Sequence, residues 1–217
     1  MKNEIAVLGG TFDPIHSGHL LSAHHVKNIL SVKEVRLVPS SQPPHKKLPE
    51  SSADHRLAML RLAVEDFPGI VIDDREIRRE GPSYSVDTLN SLRSEVGLRE
   101  AIYLVMGIDA FSLFDDWHRC DDICELCHII VLKRPGYDVN FSEEMNGWMK
   151  DRICSLGQFN DQSGGKVCLL ELEQVDISST EIREAFHRGL KPSMHLTSKV
   201  ENYIQRHGLY RGEHINA

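Results

Sequence analysis

The chain has 217 residues, 41% apolar and 26% charged, which is ample for a sizeable core and excludes an intrinsically disordered protein. Its 25 basic against 32 acidic residues give a formal charge of −7, so the basic footprint of a nucleic-acid binder is absent and an anionic ligand needs a local cluster of donors. No apolar run approaches the roughly 20 residues that cross a membrane. The N-terminal MKNEIAVLGG is too short and polar for a secretory signal, so the expected location is the cytoplasm.

Taken in chain order, short runs rich in Val, Ile and Leu recur: IAVLG (5–9), VRLVP (35–39), IVID (70–73), IYLVMG (102–107), HIIVLK (128–133) and VCLLEL (167–172). Continuous runs of this length predict strands buried on both faces, as in a parallel sheet. Between them lie stripes at helical spacing: Leu20, Ala23, Val26, Ile29 and Leu30; then Leu57, Leu60, Ala63 and Val64; then Val86, Leu89 and Leu92. Alternating strands and helices predict a doubly wound α/β sheet whose ligands bind at the carboxyl ends of the strands, where the strand order switches.

Two connections, 40–55 and 134–166, are long and polar, and are read as loops of the kind on which sites are built. Residues 179–210 read as two helices parted around 189–192, closing a single domain over 1–217. Cys120, Cys124, Cys127 and His128 lie close in sequence but lack the separated second pair of a zinc finger or ribbon. They read as a helix running into a buried strand, and no protein-held metal is expected. Asn140-Phe141-Ser142 matches a glycosylation acceptor and is read as a chance match.

The chemistry is carried by GGTFDPIHSGHL (9–20). It lacks both the dinucleotide fingerprint and the Walker lysine. The plan is nevertheless related: a strand, a tight glycine turn at Gly9-Gly10, then a helix starting near Ser17. Such a helix N-terminus carries partial positive charge and free N–H groups that suit phosphate. His16 and His19, spaced i and i+3, share one face of the first turn and can donate to a phosphate without a fixed full charge. Alone, the pair would also fit a metal site or two surface histidines. Asp13 before Pro14 reads as a turn former. Near the other end, DISSTEIRE (176–184) offers Ser178, Ser179 or Thr180 as a helix cap, with Arg183 one turn in.

Together these segments resemble the two signature elements of the HxGH nucleotidyltransferase superfamily. PPHKK (43–47), GPSYSVDTL (81–89), GIDAFSLFDDWH (107–118), RPGY (134–137) and the closing GLYR narrow the resemblance to the bacterial nicotinate-nucleotide adenylyltransferases, over nearly the whole chain. The resemblance implies a Rossmann-like doubly wound parallel sheet with C-terminal helices. It also implies transfer of the adenylyl group of ATP to nicotinate mononucleotide, giving deamido-NAD and pyrophosphate, with Mg2+ on the triphosphate.

It further implies site residues. His16, His19, Lys46 and Arg183 form the catalytic group: His19 at the α/β-phosphates, His16 at the transferred group, Lys46 with His45 at the acceptor phosphate, and Arg183 at the β/γ-phosphates. ATP is expected along Gly9, Gly10, Thr11 and Phe12, at Gly107 and Asp109 for the adenosine, and at Arg134. Ile177, Ser178, Ser179 and Thr180 complete its phosphate end. Trp117 would stack on the pyridine ring, although core packing is its plainer reading. Tyr84 and Ser85 would receive the nicotinate carboxylate, Ser85 standing where the family often has Thr. Asp109 would otherwise read as a helix cap. The rivals are a related adenylyltransferase acting on nicotinamide mononucleotide or phosphopantetheine, and a nucleotide-binding module without catalysis. Monomer and homo-oligomer both remain open.

Overall fold

The structure is a computed structural model, and it describes residues 3–42, 48–133, 141–159, 163–172 and 177–212. Six strands form one parallel sheet: β1 (Ile5–Gly10), β2 (Glu34–Pro39), β3 (Ile70–Ile72), β4 (Ile102–Gly107), β5 (His128–Lys133) and β6 (Val167–Glu171). Their order is β3-β2-β1-β4-β5-β6. The chain winds outward from β1 to β3, crosses back to β4, and winds outward the other way. The order therefore switches between β1 and β4.

The long apolar runs are explained by burial on both faces. Ala6, Leu8, Val35, Leu37 and Val105 point into one core with Leu20, Ala23 and Val26 of α1 (Ser17–Leu30), and with Met59, Leu60 and Ala63 of α2 (Ala53–Val64). The alternate residues Ile5, Val7, Leu104 and Met106 join Val86, Leu89 and Leu92 of a helix at Ser85–Val96 in the core on the opposite face. The α1 stripe is narrower than its spacing suggests, since Ile29 is 41% exposed at the far edge of the helix.

Among the described residues, seven α-helices besides α1 and α2 complete the order: α3 (Arg75–Arg78), α4 (the Ser85–Val96 helix), α5 (Ile108–Phe111), α6 (Cys120–Leu126), α7 (Glu143–Met149), α8 (Ser179–His187) and α9 (Ser198–His207). The last two confirm the helical C-terminal part; Ile182, Val200 and Ile204 seat them in the α1–α2 core. Helix α7 lies inside the stretch read as loop. Its signal was present: the Ser142 hydroxyl caps it by accepting from Met145 N, and Met145 and Met149 are buried at helical spacing. Cys124 and Cys127 are buried on α6 and at its end, and burial pushes both thiols up. Among the described residues no three His, Cys, Asp or Glu side chains gather as a metal site. Asn140 lies outside the described residues.

Candidate active site

The site lies where the sheet opens. Strands β1 and β4 pair from Ile5–Ile102 to Leu8–Val105 and then part, although both continue, to Gly10 and Gly107. β1 stays paired with β2 to its last residue, Gly10 opposite Pro39. The parting opens the sheet at the switch in strand order, where Gly9, Gly10 and Gly107 border the crevice in which such sheets bind ligands. A Cβ on Gly9 or Gly107 would meet nothing within 4 Å. Gly10 is required for another reason. A Cβ there would lie 2.9 Å from the Phe12 ring, which folds back beneath it and is buried.

Phe12 sits in the left-handed region at φ 51, so the chain turns sharply at Thr11–Asp13. Its side chain belongs to the core, which leaves Phe12 only its backbone to offer a ligand. Its ring edge meets His19 at 5.0 Å between centroids and braces that imidazole. Thr11 contributes its carbonyl to the scaffold. Arg56, only 1% exposed, donates from one terminal nitrogen to Thr11 O and Ser40 O, both at 2.8 Å. This buried guanidinium ties the loops after β1 and β2 together. Sequence spacing gave no hint of it, because Arg56 is a helical residue like any other until α2 docks.

His16 is the N-cap of α1 and His19 its third residue. Their rings lie 3.7 Å apart between centroids, inclined by 31°. His16 N donates to His19 Nδ1 at 3.4 Å, which places the His19 proton on Nε2 and makes that nitrogen a donor. His16 is buried, and among the described residues its Nδ1 makes no close hydrogen bond. Burial lowers its pKa to about 4; the nearby His195 adds to the lowering and Glu181 opposes it. His16 is therefore neutral at pH 7. His195, on the short 3-10 turn Ser193–His195, is a neighbour that sequence reasoning missed, because its approach depends on the C-terminal fold-back. Gly18 explains the glycine between the histidines: a Cβ there would stand 3.1 Å from the His16 ring.

The second signature element meets the first. Ser178 caps α8, its hydroxyl accepting from Glu181 N, while Glu181 reaches back to Ser178 N at 2.7 Å. Ser179 Oγ donates to Pro14 O at 2.9 Å across 165 residues. Ile177 touches the Gly18 position, and Thr180 Oγ1 accepts weakly from Arg183 at 3.4 Å. Arg183 itself spans the junction. It donates to Asp13 O and to Glu50 Oε1, both at 2.7 Å. The guanidinium is thus held by protein partners beside the α8 N-terminus rather than extended toward open space.

The remaining described residues of the expected site follow β4 and open α4. Gly107, not Asp109, is the N-cap of α5; Asp109 follows as an exposed residue of its first turn. Trp117 is half-buried, 5.6 Å from Phe114 between ring centroids, so it packs on the core with part of its ring outward. Tyr84 lies against His118, 4.4 Å between centroids, which joins the 107–118 segment to the 81–85 turn. Tyr84 is the N-cap of α4 and no side chain caps that helix. Tyr84 N is engaged with Pro82 O at 3.1 Å. The donors available to a carboxylate are therefore Ser85 N and those after it, not the pair Tyr84 and Ser85. His45, Lys46 and Arg134 lie outside the described residues.

The arrangement offers two donor groups, α1 with α8 and the start of α4, on one crevice. Comparison with known proteins bears on this directly. Residues 7–185 match the family model described as cytidylyltransferase-like. A protein of Pseudomonas syringae pv. tomato named probable nicotinate-nucleotide adenylyltransferase is 39% identical over 97% of this chain and 95% of its own. One of the same name from Hahella chejuensis is 43% identical over 95% of each. In fold, the chain is similar to the Plasmodium falciparum nicotinic acid mononucleotide adenylyltransferase complexed with NaAD, with a TM-score of 0.72 and 19% identity over 96% of this chain and 97% of that one. With the histidine loop and the ISST helix meeting at the switch point, the chain belongs to the cytidylyltransferase-like family and, within it, to the nicotinate-nucleotide adenylyltransferases.

Proposed function

We propose that the chain, as one catalytic domain acting in the cytoplasm, transfers the adenylyl group of ATP to nicotinate mononucleotide, releasing pyrophosphate and forming nicotinate adenine dinucleotide for NAD synthesis. The observation that carries this is the junction of α1 and α8. Two helix N-termini and the His16–His19 pair converge on the crevice between β1 and β4, joined by Ser179 to Pro14.

The mononucleotide's 5′-phosphate oxygen attacks the α-phosphorus of ATP in line, and pyrophosphate leaves. Such a transfer needs positioning and charge stabilisation more than covalent help. The Nε2–H of His19 donates to the oxygens on which charge builds. His16, neutral through burial, adds a donor to the transferred group and withdraws no proton. The N-terminus of α8 and Arg183 serve the β/γ-phosphates. Gly9, Gly10, Gly107 and Asp109 border the adenosine side, and by the family resemblance Arg134 serves ATP while His45 and Lys46 take the acceptor phosphate. The pyridine ring stacks on Trp117, and its carboxylate meets the uncapped start of α4.

Magnesium enters with ATP as part of the substrate. The nearby Asp13 carboxylate is already engaged by Glu50 N, Ser51 N and the Tyr210 hydroxyl. The donor set thus suits a metal carried on phosphate oxygens better than one held by the protein.

The test is turnover of ATP with nicotinate mononucleotide, nicotinamide mononucleotide and phosphopantetheine side by side, read as pyrophosphate release. Fastest release with nicotinate mononucleotide is expected. Release with phosphopantetheine alone, or with none of the three, rejects the reading.

A further inference from the structure

Beneath the start of α4 lies a buried carboxyl that the reaction itself does not use. Glu76, on α3, is 8% exposed. The Thr88 hydroxyl donates to its Oε1 at 2.6 Å, and the Ser83 side chain lies close enough to the same carboxyl to favour its charged form. Arg79 faces it and reaches Thr88 Oγ1 at 3.3 Å and Tyr84 O at 3.5 Å. Ser83 carries the connection onward. Its Oγ accepts from Ser41 N at 2.9 Å and Gln42 N at 3.3 Å, and Ser83 N donates to Gln42 O at 3.0 Å.

A buried carboxyl is costly unless its oxygens are satisfied, and here the residues linked to it, directly or through Ser83, come from three separate segments. Thr88 lies in α4, Ser83 in the turn before it, and Ser41–Gln42 in the loop that leaves β2. These are the pieces that border the half of the crevice assigned to the mononucleotide. We infer that Glu76 is a positioning residue for the pyridine mononucleotide: it fastens the turn at Ser83–Tyr84 to α4 and to the loop after β2, and so fixes where the first N–H groups of α4 point.

The inference rests on the proposed reaction, so wild-type turnover of nicotinate mononucleotide is measured first; its absence overturns both. With turnover established, Glu76→Ala should raise KM for the mononucleotide by about tenfold while KM for ATP stays within about twofold, the scale of one lost buried hydrogen-bond network member. Ser83→Ala, which leaves Glu76 its Thr88 partner and threatens folding less, should raise the same KM by about threefold and spare ATP. Glu76→Gln keeps an acceptor oxygen for the Thr88 hydroxyl and should restore most of the loss. Equal changes in both KM values, or none, in folded Ser83→Ala or Glu76→Ala protein overturn the inference. So does a Glu76→Gln variant as impaired as Glu76→Ala, since charge rather than placement would then be what Glu76 supplies.

Discussion

The Tyr210 hydroxyl donates to Asp13 Oδ1 at 2.6 Å, across 197 residues of chain. The same carboxylate accepts from Glu50 N at 2.7 Å and Ser51 N at 3.3 Å. Burial and the Asp13 charge together push the Tyr210 phenol up, so it stays a donor throughout the working range. Three segments are thereby clasped behind the turn that presents His16 and His19.

Removing that hydroxyl tests the clasp. Tyr210→Phe keeps the buried ring and deletes one bond to a charged acceptor, so it should destabilise the protein by about 1.5–3 kcal/mol. Urea unfolding measures this. An unchanged midpoint would show that the two N–H donors suffice.

His19 carries the catalytic prediction. If its Nε2–H stabilises developing charge, His19→Ala should lower kcat by about 100-fold or more, the scale for one preorganised donor. The fold should persist, because His19 is only half-buried. Near-normal kcat in folded protein would reject the assignment.

The titration of His16 gives a pH window. Its pKa is about 4 in the folded chain against 6.5 unfolded, so between those values the unfolded state binds more protons. The stability contribution is full above pH 6.5 and is lost as pH falls toward 4, by at most about 3 kcal/mol. His16→Asn should remove this component. Unfolding free energies of the two proteins, measured from pH 7.5 to 4.5, should converge as pH falls.

Gly18→Ala opposes two effects. Alanine in a helix gains about 1 kcal/mol over glycine. Its Cβ would stand 3.1 Å from the His16 ring and displace it. Stability should therefore change little while kcat/KM falls by about tenfold or more, since small misplacements at a reacting centre are costly. Unchanged kcat/KM would mean that the ring tolerates the shift.

Discrimination follows from the start of α4. Its uncapped N–H donors suit two carboxylate oxygens, whereas an amide would turn its NH2 against one of them. Nicotinate should be preferred over nicotinamide mononucleotide by roughly 10⁴-fold in kcat/KM. Trp117→Ala should weaken both by similar factors, because stacking is blind to the substituent. A preference within about tenfold, worth only about 1.4 kcal/mol, would point to a side-chain acceptor at the same place.

By itself the sequence determined the sheet, its helices and the two signature elements, because strands buried on both faces leave uninterrupted apolar runs and helix starts leave caps. All six strands were legible in this way, and so were His16, His19 and the Ser178 cap. What only the tertiary structure decided depends on which segments meet. Arg56 under Thr11, His195 beside His16, Tyr210 on Asp13 and Glu76 behind the α4 turn carry no local signature, since each is defined by partners far away in the chain. Arg183 was legible in its motif, but its partners Glu50 and Asp13, 133 and 170 residues away, were not. Helix α7 is the exception: its cap and its methionine spacing were visible, and the polar residues around them hid a short amphipathic helix that becomes stable only against the sheet.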